Sequence, residues 1–155
     1  MAARHLICVA NFSNFSAVLR NTENSNDKTS LPSMDLTLTG GEDGDYINIP
    51  DCSGKEYFKD HHISFKFTEN DKEKGKFAMW FNDEEKKIYI SSDGTYESGH
   101  PVSSNDNFDH ERDANIYVGL HFSPAAETGK EETSKRSLIP PPSLQASISV
   151  AVAPK

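Results

Sequence analysis

The chain has 155 residues, a formal net charge of −8, an apolar fraction of 35% and a charged fraction of 26%. That is about one domain of chain, long enough to bury roughly two-thirds of its unfolded surface around one core. The acidic balance excludes nucleic acid as the main partner and disfavours anionic membranes, because both are bound through clustered Lys and Arg.

Period-2 alternation fills the sequence, and helical periodicity is hard to find. Strands are expected at 4–10 and 16–21, around the Asn/Ser-rich break of "NFSNFS". Leu6 to Ala10 is the longest apolar run near the N-terminus, too short for the core of a secretory signal. The protein is therefore expected to be cytoplasmic as synthesised, with any release by lysis or an unconventional route. Its two cysteines, Cys8 and Cys52, are then expected to stay reduced. No apolar run approaches the about 20 residues that cross a bilayer, so no transmembrane segment is expected.

"NTENSNDKTSLPS" reads as a polar loop, and strands at 34–39 and 45–49 flank the glycine-rich "TGGEDGD". "DHH", Asp60 to His62, precedes the next strand. Neighbouring residues of a strand face opposite ways, so these histidines do not share a metal, and a surface position is expected for them. Strands at 63–69, 75–82 and 87–92 are joined by the charged turns "TENDKEKG" and "NDEEKK". Residues 93–113 carry no strand pattern but contain two aromatics and two histidines, so this long connection is expected to be ordered. A strand at 114–122 follows. The 123–143 segment is charged and ends in three prolines, and is expected to be a mobile loop leading into a last strand at 144–153. The expected fold is all-β: a single-domain antiparallel β-sandwich of about nine strands with two long loops.

The only tryptophan lies in "KGKFAMWFNDEEKKIYI". With Asp83 to Lys86 as the turn, Asn82 pairs with Lys87, Phe81 with Ile88, Trp80 with Tyr89 and Met79 with Ile90. Phe77, Met79 and Phe81 then form a core face, and Trp80 stands on the other. The 114–122 strand likewise puts Ile116, Val118, Leu120 and Phe122 on one face, and Tyr117, Gly119 and His121 on the other. Gly119 leaves a hollow there, having no side chain. If the two elements are neighbours, Trp80, Tyr89, Tyr117 and His121 gather round that hollow with Tyr96 at its rim; Tyr46 and Tyr57 are further candidates for its border. Such rings suit stacking on a sugar or cation–π capture of a choline headgroup. The competing reading has Trp80 and Tyr89 covered by the 93–113 loop as an extension of the core. The ligand-facing reading is the expectation carried forward.

No cofactor is expected. The acidic "DNFDHERD" offers Asp106, Asp109 and Asp113 as hard-cation ligands, but it lacks the regular spacing of a helix-loop-helix calcium site, and a solvated acidic loop is the better reading. Phosphate-loop and nucleophile-elbow motifs are absent, and neither cysteine sits in a nucleophile motif, so an enzyme is not expected.

"RHLICVANFSNFSAVLRN", and "ISFKFTENDKEKGKFAMWFNDEEKKIYI" followed by "NIYVGLHF", resemble the opening and middle of the actinoporin-like cytolysins. "GKFAMWFNDEEKKIY" with the C-terminal "LQASISVAVAPK" is similar to the aegerolysin plan, and the strand order resembles that of the fungal fruit-body lectins. The actinoporin Pro-Tyr-Asp-Tyr stretch is replaced by "NDEEKKIYI", and Trp80 stands alone where aegerolysins carry a cluster. The first strand begins near Arg4, so the amphipathic N-terminal segment of sea-anemone cytolysins is not expected. The resemblance implies a non-enzymatic β-sandwich that binds glycans or zwitterionic lipid headgroups, in a cytolytic or defence setting, with a homo-oligomer admitted. The alternative is an intracellular protein–protein interaction module.

Overall fold

A computed structural model of the chain describes residues 3–24, 27–39, 46–102, 111–122 and 147–154. The 123–143 segment, Asp106 and Asp109 lie outside the described residues. Twelve strands occur among those described: β1 (Arg4–Asn11), β2 (Ser16–Asn21), β3 (Lys28–Leu31), β4 (Asp35–Leu38), β5 (Ile47–Asn48), β6 (Asp51–Cys52), β7 (Ile63–Glu69), β8 (Lys72–Asn82), β9 (Lys87–Ser91), β10 (His100–Pro101), β11 (Ala114–His121) and β12 (Ser147–Pro154). A short 3-10 helix, Lys55–Asp60, sits between β6 and β7. The long strands fall where alternation placed them. The additions to the expected nine are β3 and the two-residue pairings β6 and β10.

The strands form two sheets. The first runs β12-β11-β1-β4, with β5 also on β1; the second runs β10-β9-β8-β7-β2-β3, with β6 also on β8. Most pairs are antiparallel, as expected. Two are parallel, β1 with β11 and β6 with β8. The inward faces meet in one core containing Leu6, Val9, Leu19, Phe65, Phe67, Phe77, Met79, Phe81, Ile116, Val118 and Leu120. Phe122, just past β11, stacks on Phe67 at 4.6 Å and stands edge-on to Phe77 at 6.0 Å, joining the two sheets at one end.

Local chemistry explains the main turns. Asn70 and Asp71 both take left-handed backbone, φ 52 and 66, the requirement of a two-residue hairpin turn whose twist matches its strands. The Asn/Ser-rich break is held by buried Asn11. Its Nδ2 donates to the carbonyls of Phe15 (2.8 Å) and Leu31 (3.1 Å), and its Oδ1 accepts from the Ser13 N–H (3.0 Å) and hydroxyl (2.7 Å). In β1 the register shifts between Leu6 and Cys8. One extra residue there turns Val9 and Asn11 inward with Leu6, and leaves Cys8 and Ala10 on the outer face.

Candidate functional site

The hairpin of β8 and β9 has the expected register: Asn82 opposite Lys87, Phe81 opposite Ile88, Trp80 opposite Tyr89 and Met79 opposite Ile90. Trp80 is on the outer side of its sheet, as expected. The proposed gathering is not formed. β11 belongs to the other sheet, so Tyr117 and His121 lie on the opposite outer face of the sandwich from Trp80, Tyr89 and Tyr96. A hairpin and a strand with matching patterns need not be neighbours; here β1 and β12 flank β11.

Nor is Trp80 open to a ligand. It is 1% exposed and forms a small second core with Ala78 and Cys52. Three rings enclose it. Phe58 of the 3-10 helix meets it edge-on at 5.0 Å, Tyr96 stacks at 5.5 Å and Tyr89 tilts at 5.9 Å. Gly99 lies so close that a Cβ there would overlap the indole ring. The 93–102 part of the long connection is therefore a cover, and the core-extension reading of Trp80 holds.

Asp93 shapes that cover. Its carboxylate accepts from Ser91 Oγ (2.9 Å), from the Thr95 N–H (2.9 Å) and hydroxyl (2.7 Å), and from Ser98 Oγ. Burial pushes this carboxyl up, but the hydrogen bonds from Ser98, Thr95 and Ser91 outweigh it and hold it at about 2. The Tyr89 hydroxyl donates to the Glu85 carboxylate, and burial together with that bond pushes the phenol up to about 12. Burial also raises both thiols. Cys8 is on the outer face of the first sheet and Cys52 beneath Trp80 on the other, so a disulfide between them is geometrically excluded.

Tyr117 and Gly119 border a different, shallow hollow of about 320 Å³ with Cys8, Ala10, Phe12, Leu36 and Val150 around its floor. His121 stacks on Phe12 at 4.8 Å. This face is unusually apolar for exposed surface: Phe12, Leu36 and Leu38 are 54%, 57% and 67% exposed. Asp113 uses its carboxylate on the Ala3 N–H at 2.8 Å, and no cluster of metal-ligating side chains occurs among the described residues.

The better-formed concavity was not anticipated. On the outer face of the second sheet, β2 stands against β7 and β7 against β8, in the rows Arg20–Ser64–Ala78 and Val18–Lys66–Lys76. The 3-10 helix leans over one end and makes a groove of about 450 Å³. Phe58, Lys59 and His62 form its wall, Arg20, Ser64, Lys66 and Lys76 lie along its floor, and Glu73 closes the far end. Gly94, with φ 81, admits the stem of Lys76, whose Cγ would be 3.0 Å from a Cβ at that position.

His62 departs from the surface position expected of it. Only His61 is substantially exposed; His62 is 5% exposed and stacks flat on Phe58 at 4.2 Å. Its Nδ1 lies 2.6 Å from the Phe58 carbonyl, which fixes that nitrogen as the N–H donor. Burial, more than any neighbouring charge, depresses its pKa and favours the neutral ring. Nε2 is buried with no hydrogen-bond partner. The outward positions of "SAVLRN", "ISFKFT" and "KGKFAMW" were legible as alternation, but only the order β2-β7-β8 brings them together.

No family model, no curated protein and no solved structure matches this chain.

Proposed function

We propose that the protein is a non-enzymatic binding module of the lectin or cytolysin type, recognising a glycan or a lipid headgroup in the groove beneath the 3-10 helix. The observation that carries this reading is the open groove of about 450 Å³ beneath the 3-10 helix, with the half-buried Phe58 in its wall and Arg20, Ser64, Lys66 and Lys76 along its floor. Arg20, Lys66 and Lys76 offer donors to a ligand's oxygens, and the half-buried Phe58 offers ring surface for the apolar face of a sugar. The grouping has no nucleophile paired with a base and oriented by a third group, which supports binding over catalysis. Binding to a glycan array or to phosphatidylcholine vesicles, lost in Phe58→Ala, is the expected result. Absence of binding to both would overturn the reading.

The apolar face around Phe12, Leu36 and Leu38 favours a second reading, a protein-interaction module. Leu36→Ser with Leu38→Ser would then abolish self-association or partner capture in sedimentation, while the groove variant Phe58→Ala would leave it unchanged.

A further inference from the structure

The outer faces of the two sheets differ in kind. That of the second sheet is covered at Trp80 by Phe58 and Tyr96, and elsewhere carries Arg20, Lys66 and Lys76. That of the first presents the rows Leu38–Cys8–Tyr117 and Leu36–Ala10–Gly119, with Phe12 beside them. Neither row holds a charged residue, in a chain that is 26% charged. Behind the rows, β1 and β11 pair in parallel and run without charge through Leu6–Ala10 and Ile116–Leu120. Uncharged runs in parallel pairing are the pattern of strands covered on both faces. A sheet whose second face is also apolar is completed by a further layer packed on it.

Shape, area and charge together fit a second copy of the chain as that layer. The face carries both halves of a contact: the open hollow of about 320 Å³ beside Tyr117, and next to it the projecting Leu38, register partner of Cys8 in the hollow's floor. A two-fold contact needs knob and hole on one patch, because each copy meets the other with the same surface. Phe12, Leu36 and Leu38 are more than half exposed, and Tyr117 is 36% exposed. Taking about 200 Å² for a fully exposed side chain of this size, the four leave roughly 400 Å² uncovered on each copy. Two copies, with the polar rim that surrounds such a patch, bury roughly 1,000 Å², where specific but weak interfaces begin. Chains of net charge −8 repel each other, and they approach with least repulsion through a patch that carries no charge.

We infer that the chain forms a weak homodimer in which the outer faces of β4, β1 and β11 pack about a two-fold axis, with Leu38 of each copy in the hollow of the other. This rests on the second reading above, that this face serves protein interaction, and names the partner. The groove beneath the 3-10 helix belongs to the other sheet and stays open in such a dimer.

Sedimentation of the full chain over about 1–500 μM tests it, and the mass is expected to rise across that range from one chain toward two. Leu38→Ser should weaken the association about tenfold or more. Leu38 is 67% exposed, so the variant should melt with the parent, and lost association is not lost folding. Raising sodium chloride should tighten the dimer, because salt screens the repulsion between like net charges. A second measurement needs no variant. Cys8 lies between Leu38 and Tyr117 under the contact, so its maleimide labelling in the parent should slow severalfold from dilute to concentrated protein. A chain that stays monomeric throughout overturns the inference, as does a dimer that salt loosens, or one that changes neither with Leu38→Ser nor in Cys8 labelling. If the monomeric parent retains lysate proteins that Leu36→Ser with Leu38→Ser loses, the inference falls and the interaction reading stands. A monomer that retains no protein, or that uses these leucines only to bind phosphatidylcholine vesicles, overturns both.

Discussion

Trp80→Ala is the perturbation that separates a structural tryptophan from a ligand anchor. The indole is 1% exposed, so nearly all of its side-chain surface is withdrawn from water on folding. A buried aromatic of this size removes about 150–250 Å² from solvent. At about 25 cal/mol per Å² that is about 4–6 kcal/mol, of which the remaining methyl keeps about 1. The contacts with Phe58, Tyr96 and Tyr89 are lost as well. Two effects offset part of this. The cover made of the 3-10 helix and the 93–99 turn can settle inward, which shrinks the cavity left behind. The indole N–H is buried without a partner, and deleting it returns about 1 kcal/mol. The expected net loss is about 3–4 kcal/mol, or roughly 10 °C in melting temperature for a chain of this size. Circular dichroism in a urea series measures it without relying on tryptophan emission. Trp80→Phe, which keeps a ring and removes the orphan donor, should lose about 1–2 kcal/mol. Gly99→Ala, which drives a methyl into the indole, should also destabilise. A loss below about 1 kcal/mol for Trp80→Ala would refute the burial argument and return the ring to the surface as a ligand anchor.

Three further outcomes follow from the same structure. His62 has a folded-state pKa below its ordinary 6.5, because burial disfavours the charged ring. The unfolded chain therefore takes up the proton first, and stability is full above about pH 6.5 and declines as the pH falls from there toward the folded value. Urea midpoints at neutral and mildly acidic pH should differ less in His62→Gln than in the parent; an equal difference would remove His62 as a cause. Asp93, held at about 2 against an ordinary 3.8, contributes stability that is present above pH 3.8 and lost as the pH falls toward 2. Asp93→Ala should free the 93–99 turn, raise hydrogen exchange there and make Trp80 more accessible to acrylamide; unchanged quenching would show that the cover stands without it. Thiol labelling of the native protein should modify Cys8, half-buried on the outer face, well before fully buried Cys52, and the reverse order would contradict the placement of Trp80 over Cys52.

The hairpin around Trp80 was legible down to its register, because alternation of side chains and a four-residue charged turn are properties of the local chain. The same holds for the inward face of β11, with Ile116, Val118 and Leu120 in the core. Local pattern stops at the question of which strand lies beside which. β1 pairs with β11 across more than a hundred residues, and in parallel, a pairing that no alternation rule specifies. That choice sent Tyr117 and His121 to one outer face and Trp80 to the other. The 3-10 helix was missed because "KEYFKD" is too short to show a period, yet it covers Trp80 with Phe58 and walls the groove with Phe58 and Lys59. Arg20, Lys66 and Lys76 each read as ordinary solvent-facing positions of separate strands. They become one cationic surface only in the order β2-β7-β8, because charges act through the distance between side chains in space, and the sequence fixes only their distance along the chain.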